Sequence, residues 1–206
     1  MNTDFNQLDP NCIAAILYRP DDDVDTLLAD FACDLAHGGT RIGGIVQRNL
    51  KDAAGRKAGM QLFDLLGARN ISICQPLGSG AMACRLDAGG LAEAAAAIRV
   101  ALSENVALVV INKFSKQETS GRGLRAEFAD AIIAGTPLLT AVPEKCIEAW
   151  KGFTGDIGTT LRCERHVIDE WWQQLSSRMV RMRDSATSGV QSTGLAAICR
   201  SSHPMT

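Results

Sequence analysis

The sequence has no CxxC pair, no apolar run long enough to cross a bilayer, and a single tyrosine among aromatics that make up only 5% of its 206 residues. Each shortage removes a class of protein. The seven cysteines, Cys12, Cys33, Cys74, Cys84, Cys146, Cys163 and Cys199, are scattered, which fits buried reduced thiols and not a disulfide framework or a zinc site. His37, His166 and His203 stand far apart from one another in the sequence, so no metal site is expected. A membrane span needs about 20 predominantly apolar residues, and the opening MNTDFNQLDPN is polar and acidic with no hydrophobic leader, so a cytoplasmic protein without a membrane partner is expected. A net charge of −2 gives no broad basic field, and nucleic acid is not an expected partner.

What is present is a hydrophobic share of 46% beside 21% charged residues, enough for one good core. The expected organisation is a flexible N-terminus over 1–10, a single α/β domain over 11–183, and a disordered Ser-, Thr- and Gly-rich tail over 184–206. The most informative stretch is Val106 to Val142. Val106–Ile111 is continuously apolar and β-branched, as in a strand buried on both faces of a parallel sheet, and Thr136–Val142 repeats the pattern. Between them Leu124, Phe128, Ala131 and Ile132 recur at helical spacing, which predicts a βαβ crossover. In open α/β sheets ligands bind beyond the carboxyl ends of such strands, and Asn112, Lys113, Lys116, Glu118, Arg122 and Arg125 all gather there.

Cys12–Tyr18 reads as a first strand, followed by the acidic cluster Asp21, Asp22 and Asp23 and a helix with Val24, Leu27, Leu28, Phe31 and Leu35 on one face. Asp22 or Asp23 can cap that helix, and His37-Gly38-Gly39 closes it. Arg41–Gln47 is the next strand, Arg48–Gly59 an exposed basic loop, and Met60–Leu66 with Asn70–Gln75 a hairpin or edge addition. Gly78-Ser79-Gly80 is a small-residue turn. An alanine-rich helix around Leu91–Leu102, capped by Asp87, leads into the Val106 strand, and two helices follow Val142, one through Trp150 and one over Val167–Met182. Helices alternating with buried strands predict a three-layer α/β fold with a mainly parallel sheet.

The first strand with its helix, RIGG at Arg41–Gly44 and VVINKFSKQE at Val109–Glu118 resemble the nucleoside-triphosphatase branch of P-loop proteins. More closely, the chain resembles an uncharacterised bacterial family grouped with them, over about residues 11–175. The resemblance implies a P-loop-NTPase-like fold in which the first strand and the later one lie side by side and open on one pocket. In those enzymes a Gly-rich phosphate loop ending in Gly-Lys-Thr-Thr follows the first strand, and an Asp-Glu pair ends the later one. Both signatures are altered here. Placing Thr26-Leu27 on the terminal Thr-Leu puts Val24 at the lysine and Asp21 and Asp23 at glycines, while Asn112-Lys113 stands at the acidic pair; only Glu118 of the further Met-Glu survives. Like charges about 4 Å apart repel by about 1 kcal/mol in water and about 4 kcal/mol at an effective dielectric of 20, so the acidic cluster disfavours bare ATP. The resemblance therefore implies a degenerate phosphate loop; with both strand ends opening on one pocket, either the Asp21–Asp25 cluster faces Lys113 in a reversed ion pair, or Asp22 or Asp23 simply caps the helix and Lys113 is exposed to solvent.

Three functional readings stay open on sequence. The first is a catalytically degenerate protein in a regulatory or accessory role, binding a small anion, a nucleotide or a protein partner. Its candidate ligand-binding residues are Asp22, Asp23, Asn112, Lys113, Lys116, Gly121, Arg122, Gly123 and Arg125, with Gly121-Arg122-Gly123 opening the helix that carries Arg125 so that backbone donors and two guanidinium groups converge on an anion. The second is a nucleoside triphosphate phosphatase in which Lys113 and Lys116 supply charge and Glu118 orients water. The third is a structural interaction module. The resembling family also suggests an occasional association with molybdate or other metal uptake, which no residue pattern here carries, and the sequence names no cofactor.

Overall fold

The computed structural model describes residues 9–51, 57–76 and 84–194. The Gly78-Ser79-Gly80 turn, residues 1–8 and residues 195–206 lie outside them. The strands are β1 (Ile13–Tyr18), β2 (Ile42–Lys51), β3 (Lys57–Asp64), β4 (Arg69–Ser72), β5 (Cys74–Pro76), β6 (Cys84–Leu86), β7 (Leu108–Ile111), β8 (Leu138–Pro143) and β9 (Thr159–Arg162); the helices are α1 (Val24–His37), α2 (Ala88–Ser103), α3 (Lys116–Thr119), α4 (Arg125–Ile133), α5 (Ile147–Thr154) and α6 (Arg165–Gly194). A seven-stranded sheet runs β4-β3-β2-β7-β8-β1-β9, and β5 and β6 pair separately. The pairs from β2 through β9 are parallel, while β3 and β4 are antiparallel additions at one edge. The fold is thus mixed α/β with a mostly parallel sheet.

Local chemistry accounts for the helices. Asp23 caps α1 by accepting from the Thr26 N–H at 3.3 Å, and Asp87 caps α2 by accepting from the Gly90 N–H at 3.2 Å. The buried residues of α1 are Val24, Asp25, Leu28, Phe31 and Ala32, an apolar stripe interrupted by one carboxylate. β7 and β8 are buried along their whole length, as expected of strands covered on both faces. The scarce aromatics are concentrated under the β7 loop: Phe114 meets Phe128 edge-on at 5.5 Å and Trp150 at 5.0 Å, and stacks on Phe153 at 5.3 Å. That cluster anchors the backbone on either side of Phe114, and so fixes Lys113 and Ser115.

The RIGG stretch has a packing explanation. A Cβ on Gly43 would lie 2.5 Å from the Cβ of Ala101 on α2, and one on Gly44, at φ +94, would lie 2.1 Å from the Val110 carbonyl oxygen of β7. Glycine lets β2 sit against both neighbours.

Four sequence expectations are corrected. β1 and β7 are not side by side: β8 lies between them. Residues Arg48–Lys51 and Lys57–Gly59 are strand instead of exposed loop, because β2 and β3 pair antiparallel and satisfy each other's backbone groups. β9, a four-residue strand against β1, was not foreseen. Helix α6 continues past Asp184 to Gly194, where loss of regular structure was expected. One compact unit runs to Val167 and a second begins at Ile168; within the latter, Ile168, Trp171 and Leu175 recur at helical spacing as buried residues.

Candidate functional site

The predicted convergence of charge beyond the strand ends resolves into a buried carboxylate and its donors. Asp25, in the first turn of α1, is 8% exposed. Its Oδ1 accepts from Lys113 Nζ at 2.9 Å and from Asn112 Nδ2 at 3.0 Å, and its Oδ2 accepts from Gln47 Nε2 at 2.7 Å and from Asn49 Nδ2 at 3.0 Å. Four donors from β2 and the end of β7 saturate one carboxylate. Burying it requires such partners, because an ionised group in a low-dielectric interior is otherwise strongly disfavoured. Asn112 serves the carboxylate with its amide NH2, and its own oxygen is buried without a hydrogen-bond partner among the described residues. The Asn112–Lys113 peptide bond is cis. Lys113 also lies over the Tyr18 ring, its nitrogen 5.2 Å from the centroid, so Tyr18 at the end of β1 is the third wall of this network. Burial lifts the Tyr18 phenol above its usual 10.0, and the Lys113 charge opposes that rise.

The other acidic candidates do local work. Asp22 accepts from the Arg19 N–H at 2.7 Å in an exposed turn, and Asp23 is the α1 cap. Of the carboxylates in the cluster, Asp25 alone faces inward, because it lies one position inside the helix on the stripe shared with Val24 and Leu28.

A second carboxylate closes the loop after β7. Glu118 is 5% exposed; its Oε2 accepts from the Ser115 N–H at 2.9 Å and its Oε1 from the Leu124 N–H at 3.1 Å. Gly123, at φ +66, is required there, since a Cβ would come 2.1 Å from Oε1. The donor at the start of α4, offered on sequence to an external anion, is thus taken by the chain itself. Arg125 turns inward, donating to the Glu118 carbonyl oxygen at 3.1 Å with its guanidinium 4.3 Å over the Phe153 ring. Arg122 is exposed, with Nε 3.5 Å from Ser120 Oγ, and Gly121 is exposed at φ +79. The two arginines make different contacts, Arg122 with Ser120 and Arg125 with Glu118.

Burial raises the Glu118 carboxyl above its ordinary 4.5, against the opposing pull of the Ser115 and Leu124 N–H groups. A raised folded-state value means that the stability Glu118 contributes is complete below 4.5 and is lost as pH climbs through the folded-state value. The difference in unfolding free energy between the unaltered chain and Glu118→Gln is therefore expected to move against the unaltered chain as pH rises from below 4.5. Urea melts of both proteins at stepped pH measure it. A pH-independent difference contradicts the assignment.

Lys116 is exposed and lines a pocket of 380 Å³ that also includes Tyr18 and Lys145. Sequence reasoning missed Gln47, Asn49, Tyr18 and Lys145. Gln47, a polar residue closing the apolar run of its strand, carried a readable signal, whereas Asn49 fell in the stretch read as a loop. Burial raises the Cys163 thiol to about 11, with Asp22, Asp23 and Glu164 adding to the effect, which makes it an unreactive thiol at neutral pH. Cys84 falls in β6. Among the described residues no cluster of three or more His, Cys, Asp or Glu could hold a metal ion, and no helix is long and apolar enough to cross a membrane.

Fold and site together define a mixed α/β protein whose loops beyond the strand ends are held by its own carboxylates. The chain belongs to the family described as "Protein of unknown function (DUF2478)", which matches residues 13–171. It is 67% identical over 184 residues to a protein of Bradyrhizobium diazoefficiens named molybdenum import ATP-binding protein ModC 2, a match that covers 89% of this chain and 20% of that protein. The chain thus spans about a fifth of that relative's length. Among solved structures it is similar to a human cancer-related nucleoside triphosphatase, at 15% identity and a TM-score of 0.49, over 84% of this chain and 98% of that one.

Proposed function

We propose that the chain is a non-hydrolysing module of P-loop descent that binds a small anion, a nucleotide or a protein partner in a regulatory or accessory role connected with molybdenum import. The observation that carries this reading is the Asp25 carboxylate with its four donors. In the register that sets Thr26-Leu27 on the phosphate loop's terminal Thr-Leu, Asp25 takes the place of the first threonine and Val24, buried at 2%, that of the lysine. A phosphate loop offers backbone donors and a lysine to a polyanion. Here the position holds a buried carboxylate saturated by the chain's own donors, and the lysine that could stabilise a phosphate, Lys113, is already paired with it. Asn112 and Lys113 also supply no carboxylate for magnesium, so the charge stabilisation that phosphoryl transfer depends on is missing. The connection with molybdenum import rests on the name of the relative that shares this segment.

Purified chain incubated with magnesium and a panel of nucleoside triphosphates is expected to release phosphate at the buffer rate. Turnover that disappears in Glu118→Gln would overturn the reading in favour of a phosphatase with Glu118 orienting water. A thermal-shift series with ATP, phosphate, sulfate and molybdate then identifies the anion, since a ligand selective for the folded state raises the transition by mass action.

A further inference from the structure

β1 and β8 are parallel neighbours, yet the chain leaves them in opposite senses: from β1 it travels toward β2, and from β8 it crosses to β9 on the far side of β1. Right-handed crossovers carry these two connections to opposite faces of the sheet. A crevice opens between such strands beyond their carboxyl ends, which is where ligands of open α/β sheets are held. The 380 Å³ pocket lies there, lined by Tyr18 at the end of β1 and Pro20 after it, Pro143 at the end of β8 with Glu144 and Lys145 after it, and Ser115 and Lys116 at the start of α3. Neither Asp25 nor Lys113 lines it.

Its chemistry is two-sided. Tyr18, Pro20 and Pro143 give apolar walls, while Lys116 and Lys145 bring ammonium groups that no ion pair holds among the described residues. The carboxylate at the rim, Glu144, is already engaged by Arg19 Nε at 2.8 Å. Small-molecule pockets run to about 300–1,000 Å³, with mostly apolar walls and a few polar groups that orient the ligand. This pocket is within that range, and an inorganic oxyanion would leave its apolar walls uncovered.

We propose that the crevice binds a small organic anion, its apolar body against Tyr18, Pro20 and Pro143 and its oxyanion on Lys116 and Lys145. This rests on the ligand-binding reading above and narrows it to an amphipathic anion at a site other than the former phosphate position.

Tyr18 is the chain's one tyrosine, so ¹³Cζ-tyrosine labelling gives a single resonance at the pocket wall. Titration of the full chain with adenosine monophosphate and with 1-naphthoate is expected to shift that resonance saturably. Neutral adenosine should bind about tenfold or more weakly, and the double variant Lys116→Ala/Lys145→Ala should weaken both anions about tenfold or more, as loss of charge-assisted contacts requires. Both lysines are exposed, and circular dichroism checks that the variant folds. The proposal is overturned if neither anion moves the resonance, if the double variant binds as the unaltered chain does, or if phosphate or molybdate alone binds as tightly as adenosine monophosphate. Phosphate release from ATP is measured separately, so the non-hydrolysing reading and this site can each fail while the other stands.

Discussion

Gly44→Ala is expected to remove a large share of the stability of the fold. The residue has φ +94 and pairs with Val110 of β7, whose carbonyl oxygen would lie 2.1 Å from the new methyl carbon. A side chain held in a sparsely populated backbone region costs about 1–3 kcal/mol, and overpacking against a neighbour that cannot rotate away adds about 1–3 kcal/mol or more. Backbone is the neighbour that cannot rotate away. The sum, about 4 kcal/mol, is a large share of the 5–15 kcal/mol typical of a folded domain, and corresponds to a fall of roughly 8–16 °C in Tm. Gly39→Ala is the control: its φ is +80, but nothing lies within 4 Å of the added carbon, so it carries the backbone strain without the collision. Equal effects at the two positions would mean that β2 and β7 are not closed as tightly as the register implies.

Asp25→Ala is expected to destabilise the chain by about 3–5 kcal/mol, the range for leaving a buried charge without its partner. Lys113 is 19% exposed on its side chain and would lose its counter-charge, while Gln47 and Asn112, both buried, would lose their acceptor. Lys113→Ala should cost less, because the carboxylate keeps three amide donors. In the double variant the two effects should fall short of their sum by about 0.5–3 kcal/mol, the coupling expected of residues in one network. Guanidinium melts of the four proteins close the cycle. Additive effects would show that Asp25 and Lys113 act independently, and would remove the basis for calling the pair a unit.

The parts of this architecture legible in the sequence are those set by neighbours along the chain. Asp23 followed by the Val24–Leu35 stripe announces α1 because a cap and a 3.6-residue period are both local. The reversed pairing of Lys113 with an acidic residue was also legible, as an excess of charge of opposite sign at two strand ends. Which carboxylate takes part was not: Asp21, Asp22, Asp23 and Asp25 differ only in where they fall relative to the helix start, and two residues separate the exposed cap Asp23 from the buried acceptor Asp25. Strand order was illegible for a different reason. That β8 lies between β1 and β7 depends on partners more than a hundred residues apart, and nothing in a buried apolar run names its neighbour. β9 escaped notice because only Leu161 of its four residues is buried, so no pattern distinguishes it from a loop. The extension of β2 past Gln47 depended likewise on a partner, since Arg48 and Asn49 read as loop until β3 is set beside them.

The sheet order has a consequence for the chain as it is synthesised. Among the described residues β1 pairs with β8 and β9. Everything over 19–137 must therefore leave the ribosome before this strand can meet its first neighbour, Leu138–Pro143. At about 5–20 residues per second that is an interval of several seconds in which an apolar segment has no edge to join. Its companions in that interval are α1 and the β2–β3–β4 meander, whose pairings are local and close early. Ile13–Tyr18 emerges before both of its partner strands and waits for them to be enclosed, which makes it the segment for which a nascent-chain chaperone would compete.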